Sequence, residues 1–178
     1  MRTQFTVTAL SPLGVPEVSD HGRMTSARYD ETKLQPLTTN ALIEERVAEL
    51  LGRAIRRQLW FLFLDEHDVQ MPLLVPLDGL PQLPPDPSDP TLRSMLQHCA
   101  ETAGAHSFIF VLERYADATL TPADIAWARA LHSACDEAQV PLRGILLSHK
   151  RGVRWVAQDD YRFGGDGGGV VSADLARE

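Results

Sequence analysis

The residues able to do chemistry are few and scattered along the chain. Glu113, Asp117 and Asp124 lie close together in sequence, with Thr121 just ahead of Asp124. Carboxylates so spaced offer oxygen ligands that suit magnesium or calcium, and hold them weakly when so few. A structural reading accounts for Thr121-Pro122-Ala123-Asp124 without chemistry. Threonine is a good N-cap, proline fits the first helical position, and the aspartate reaches back to the helix start. His67 stands in the acidic turn Asp65-Glu66-His67-Asp68. That turn lacks the glycine and alternating carboxylates of a calcium loop, and reads as solvated. His106, just before a strand, and His149, in a hairpin, read as surface residues. Cys99 and Cys135 fall on the apolar sides of helices, with His98 and His132 nearby in sequence. They read as reduced core thiols, not as the cation-stabilised thiolates of reactive sites. No glycine-rich phosphate loop leads into a helix, and no Gly-x-Ser-x-Gly elbow occurs.

The chain that must position these groups has 178 residues and a formal net charge of −7. That length suits one domain. Hydrophobic residues at 44% and charged residues at 23% place it among ordinary globular proteins. The acid balance weighs against nucleic acid as a partner, because that affinity rests on cations that neutralise phosphates. No apolar segment follows Met1-Arg2-Thr3-Gln4-Phe5, so no secretory signal is expected. No apolar run approaches the roughly 18 residues of a membrane span. With reduced cysteines, these features lead to a cytoplasmic expectation.

Periodicity then gives the elements. Residues 1–37 read as a flexible arm in which Gln4–Leu10 alternates enough for a short strand. Residues 38–163 read as the folded domain, and 164–178 as a glycine-rich disordered tail. Ile43, Val47, Leu50, Leu51 and Ala54 mark one helix face starting from Asn40 as N-cap, with Arg53, Arg56 and Arg57 near its C-terminal end. Those arginines read as a solvated helix end, or a basic partner site. Leu59–Leu64 is a strand buried on both faces. Met71–Leu77 should pair with it antiparallel, at an edge because of Pro72 and Pro76. After a proline-dense connector capped by Asp89-Pro90, a second helix runs through Leu92, Met95, Leu96, Cys99 and Ala103 to Gly104. Ser107–Leu112 is another buried strand. Trp127, Ala128, Leu131, Ala134, Cys135 and Ala138 face inward from a third helix. Leu142–Leu147 and Val153–Val156 complete an αββαβαββ order, an α/β (α+β) mixed sheet with covering helices.

Leu62-Phe63-Leu64-Asp65, the spacing from Val111 to Ile125, and the closing strands from Val140-Pro141-Leu142 to Trp155 carry a resemblance. Over about Leu50 to Phe163 the chain resembles the JAB/MPN domain family, within it the RadC-like branch. The resemblance implies a three-layer, cytidine-deaminase-like arrangement. Active members are zinc hydrolases with a glutamate base and a His-x-His, seven residues, Ser-x-x-Asp motif. Two imidazoles and a carboxylate hold zinc, and the glutamate deprotonates its water. Placed on this chain, the base falls near Arg57, the histidines at Val111 and Glu113, the serine at Thr121 and the aspartate at Asp124. Arg143-Gly144 stands where the closing strands carry Asp-His. Only Asp124 survives as a ligand, so neither a metal, a cofactor nor a catalytic residue is expected. The resemblance implies an inactive member acting as a protein-interaction or scaffold module with an unknown protein partner or a second copy. Met71, Leu73, Leu74 and Val75 on the edge strand are its candidate interaction residues. Two rival expectations are a hydrolase with a non-standard site around Glu113, Asp117 and Asp124, and a DNA-associated accessory. The latter would use Arg53-Arg56-Arg57 beside Lys150-Arg151-Arg154.

Overall fold

In the computed structural model of the chain, the described residues are Thr6–Val7 and 32–162. The rest of the expected arm, and the expected tail, lie outside them. The elements are β1 (Thr6–Val7), α1 (Asn40–Leu51), β2 (Gln58–Leu64), β3 (Gln70–Asp78), α2 (Thr91–Ala103), β4 (Ser107–Glu113), α3 (Pro122–Ala138), β5 (Leu142–His149), β6 (Gly152–Trp155) and α4 (Gln158–Arg162). From α1 to β6 the order is the one expected from periodicity, β1 lies within the short strand expected at Gln4–Leu10, and α4 adds to them. They build one mixed sheet in the order β1-β3-β2-β4-β5-β6. Only β4 and β5 are parallel, and α3 is the crossover between them.

Alternation along the strands divides the core in two. Leu59, Phe61, Phe63, Phe108, Phe110, Leu112, Ile145 and Leu147 face α2 and α3. Leu62, Leu64, Ile109, Val111 and Leu146 face Ile43 and Val47 of α1. The strands β2 and β4 are therefore apolar on both sides, which is why they read as unbroken hydrophobic runs. Phe61 packs edge-on against Phe110, and Phe63 against Phe108, with ring centroids 5.2 and 5.0 Å apart. Such pairs contribute about 0.5–1.5 kcal/mol beyond their buried area.

Several local expectations are corrected. The N-cap of α1 is Thr39, whose hydroxyl accepts from the Leu42 N–H, and Asn40 is already helical. The helix stops at Leu51 because Gly52 takes a left-handed φ of 61°. Ala54 is buried beyond it; Arg53 directly follows the C-cap, while Arg56 and Arg57 stand further along the loop that leads into β2. At α2 the cap shifts by one residue. Pro90 holds the N-cap place, while the Asp89 carboxylate accepts from the N–H and hydroxyl of Thr91. Leu37, just ahead of the expected domain start, is buried and donates its N–H to the Asp68 carbonyl.

Strand β3 pairs antiparallel with β2, but it is not a bare edge. β1 pairs with Leu77 and Asp78, and Pro36 bridges to Val69 at the other end. Val75 is buried, while Met71, Leu73 and Leu74 are half-buried against the two cores. A proline keeps its place in a ladder where its nitrogen faces away from the partner strand. Pro72 and Pro76 thus remove donors from the outer side of β3, which discourages an added strand.

Gly144 on β5 shows how tightly one face is closed. A Cβ built there would stand 2.1 Å from the Trp155 ring. The Trp155 indole lies over the glycine and donates its N–H to the Asn40 carbonyl at the start of α1. Overpacking of this kind costs about 1–3 kcal/mol. Gly144→Ala should destabilise the protein by that amount in urea denaturation, and Trp155→Leu in the same chain should recover part of the loss.

Candidate functional site

The positions that the family resemblance singles out cluster where β4 ends. The strand run Val111-Leu112-Glu113-Arg114 places two charged residues in succession at the edge of the core. Alternation sends them to opposite faces of the sheet. Glu113 lies on the α1 side, and Arg114 lies on the α3 side. Both are buried, with 4% and 8% of their surface exposed, so each must find partners or cost several kcal/mol.

Glu113 finds four donors. Its Oε1 accepts from the N–H groups of Ile55, at 2.8 Å, and Arg56, at 3.3 Å. Its Oε2 accepts from the Trp60 indole at 2.7 Å and from the Gln58 side-chain amide. Gln58 is its direct cross-strand neighbour, and Trp60 follows on the same face of β2. Burial works to raise the pKa of the carboxyl, but the hydrogen bonds from Ile55, Trp60, Gln58 and Arg56 outweigh it and hold the group below the usual glutamate range. The carboxylate is a fastener between the loop after α1 and the central strands.

Asp124 is held separately. The Thr121 hydroxyl accepts from its N–H, while its Oδ2 accepts from the Thr121 N–H and hydroxyl, both at 2.8 Å. This is the capping box expected from the sequence, with Pro122 in the first turn of α3. Arg114 adds its Nε–H to both carboxylate oxygens, at 3.1 and 2.9 Å, and a further N–H to the Thr119 carbonyl. No hydrogen bond or ion pair among the described residues joins Glu113 to Asp124, and their donor sets do not overlap.

The remaining candidates are accounted for one by one. Val111 is fully buried and apolar. Arg57 turns away from β4 and donates to the carbonyls of Leu80, Pro81 and Gln82, tying the loop to the proline-rich connector. Asp117 is exposed and accepts from the Thr119 N–H. Tyr115 points to solvent with 71% of its surface exposed. His67 and His106 line a polar hollow of about 360 Å³ with Asp65 and Glu66, yet the Asp65 carboxylate is spent on the N–H groups of His67 and Val69. Among the described residues, no group of three or more His, Cys, Asp or Glu is placed to hold a metal ion. Burial pushes the Cys135 thiol up to about 12, with the Asp136 charge adding to it, and burial raises Cys99 too. An apolar groove of about 490 Å³ lies elsewhere, between Leu83, Pro84, Leu92, Ala130 and Ala134.

His149 corrects the surface reading. It is 7% exposed, with Nδ1 accepting from the Arg151 N–H across the hairpin. Burial first, then the charges of Arg151, Arg114 and Arg154, push its pKa below the ordinary 6.5, against a smaller opposing effect of Asp117. The hairpin was legible in sequence, but nothing there told that its histidine turns inward. Arg114, Gln58 and Trp60 were not singled out either. The available signal was the Glu-Arg pair closing an apolar strand, since two adjacent buried charges on opposite faces require partners on both.

Two measurements test this geometry. A histidine with a depressed folded pKa binds more protons when unfolded, so its contribution is present above 6.5 and lost as pH falls through the folded value. Stability should fall as the pH drops below about 6.5 in the native chain, and His149→Gln should flatten that limb. The separate acid limb, from Glu113 below its ordinary 4.5, should remain. In a double-mutant cycle, Arg114→Met and Asp124→Asn should each cost about 3–5 kcal/mol by stranding a buried charge, while the double variant costs less than their sum. No protein-family model and no curated protein matches the chain.

Proposed function

We propose that this chain is a protein-interaction module, a catalytically silent domain of JAB/MPN-like, cytidine-deaminase-like arrangement that works in the cytoplasm by docking another protein. The observation that carries this reading is the state of the polar atoms at the motif positions. Where relatives would hold zinc and water, Val111 has no ligand atom. Glu113 accepts four hydrogen bonds, and Asp124 is engaged by Arg114 and by its own helix cap. Arg57 stands near the place of the general base. A carboxylate already saturated by N–H donors is a poor metal ligand, and these residues do not fit a zinc ion that needs two imidazoles and a carboxylate.

The lowered pKa of Glu113 adds to the argument, because a useful general base sits near the working pH, not below the carboxylate range. Among the described residues no helix is long and apolar enough to cross a membrane, and both cysteines are free. Reduced thiols accord with a cytoplasmic address. The partner is a protein, with a second copy of the chain as one form it can take.

Zinc titration by calorimetry, paired with hydrolysis assays on peptide and isopeptide substrates, tests the silent half of the reading. The expected result is neither stoichiometric zinc uptake nor turnover above the uncatalysed rate. Turnover that Glu113→Gln abolishes, in a variant whose circular dichroism shows a retained fold, overturns it.

A further inference from the structure

Three loops meet at the end of the sheet where β4 and β5 finish. The Ala54 N–H donates to the His149 carbonyl at 3.2 Å, the Lys150 N–H to the Ala116 carbonyl at 3.0 Å, and the Arg114 N–H to the Ser148 carbonyl at 3.1 Å. The Ile55 N–H is held by the Glu113 carboxylate. Backbone bonds of this kind make a single stiff surface from segments far apart in sequence.

That surface carries Ile55 at 78% exposure and Tyr115 at 71%. Single exposed apolar residues need no explanation, but these two stand on loops that the backbone bonds from Ala54 to His149 and from Lys150 to Ala116 tie to the cation-bearing hairpin. Arg53, Lys150 and Arg151 are exposed, and no described hydrogen bond or salt bridge engages their side chains. Arg154 keeps its charge while donating to the Ala118 and Trp155 carbonyls. Asp117 is the opposing carboxylate of this face, and Arg56 lies 3.7 Å from Asp78 at its margin. Arg53, Lys150 and Arg151 thus stand as exposed cations in a chain whose net charge is −7. Tyr and Arg are the residues most enriched among those that dominate interface energies.

We propose that this face docks an acidic segment of a partner protein that carries apolar side chains between its carboxylates. Tyr115 and Ile55 receive the apolar groups, and Arg53, Lys150 and Arg151 meet the carboxylates. The proposal rests on the protein-interaction reading above and names the surface and the partner's chemistry. Charge complementarity selects an anion, and the flanking apolar pair selects against a bare polyanion. Nucleic acid fits less well, because Ile55 offers no ring for stacking.

Fluorescence anisotropy with the full chain tests this. The probes are a labelled peptide of Glu and Asp interspersed with Leu and Phe, a poly-glutamate peptide of equal charge, and a single-stranded oligonucleotide. The mixed peptide is expected to bind at about 50 mM salt, several-fold more tightly than poly-glutamate, and to weaken as screening grows at about 300 mM. Tyr115→Ala and Arg151→Glu should each weaken it by about tenfold. Leu83→Ala, in the separate apolar groove, should leave it unchanged. All three side chains are exposed, and an unchanged melting temperature checks that the fold is kept. Absence of peptide binding at low salt, indifference to Tyr115→Ala and Arg151→Glu, tighter binding of the oligonucleotide, or self-association that Tyr115→Ala abolishes each overturns the proposal. Zinc-dependent hydrolysis would overturn the protein-interaction reading itself, whereas loss of peptide binding without hydrolysis removes only this surface.

Discussion

Two consecutive buried charges at the end of a central strand organise this protein. Glu113 and Arg114 leave β4 on opposite faces, and neither can remain in a low-dielectric interior without partners. The need to satisfy Glu113 draws the loop after α1 across the sheet, because Ile55 and Arg56 supply two of its donors. The need to satisfy Arg114 places the first turn of α3, because Asp124 must reach its guanidinium. One dipeptide therefore anchors material from both sides of the sheet. The same bonds consume the polar atoms that a catalytic centre in this position would require.

The sheet around this point is suited to the task. Strands β2 and β4 are apolar on both faces and locked by phenylalanines packed edge to face, so the strand ends have little freedom. Gly144 lets the Trp155 ring lie flat on β5 and reach the start of α1. On the outer side, β1, the Pro36 bridge and two prolines limit strand addition along β3. The loop surface at the end of β4 and β5 is open to water, and carries the exposed Tyr115, Ile55, Arg53, Lys150 and Arg151.

Much of this was legible in the residues. The doubly apolar strands could be read from unbroken runs such as Phe108-Ile109-Phe110-Val111. The start of α3 could be read from Thr121, Pro122 and Asp124, whose capping geometry is purely local. Other features were not. The end of α1 was placed too late because Ala54 continues the helical period. Yet Ala54 is buried as a loop residue, and Gly52 had already turned the chain. His149 sits in a hairpin, where solvent exposure is the ordinary expectation, and the loops around Ala54 and Ala116, distant in sequence, bond to the backbone at His149 and Lys150. Leu77 and Asp78 gain a strand partner from a segment more than sixty residues away, which no local pattern announces.

The amino-acid order by itself determined the central strands, the helices and the capping box of α3, because hydrophobic period and capping chemistry act over a few neighbouring residues. It also determined that Val111 could never hold a metal. The tertiary structure alone decided the fate of the charged groups. Whether Glu113 is a base, a ligand or a fastener depends on which N–H groups reach it. Those groups come from Ile55, Arg56, Gln58 and Trp60, more than fifty residues upstream. A carboxylate's role is set by the donors and dielectric around it, and these exist only once the chain has folded.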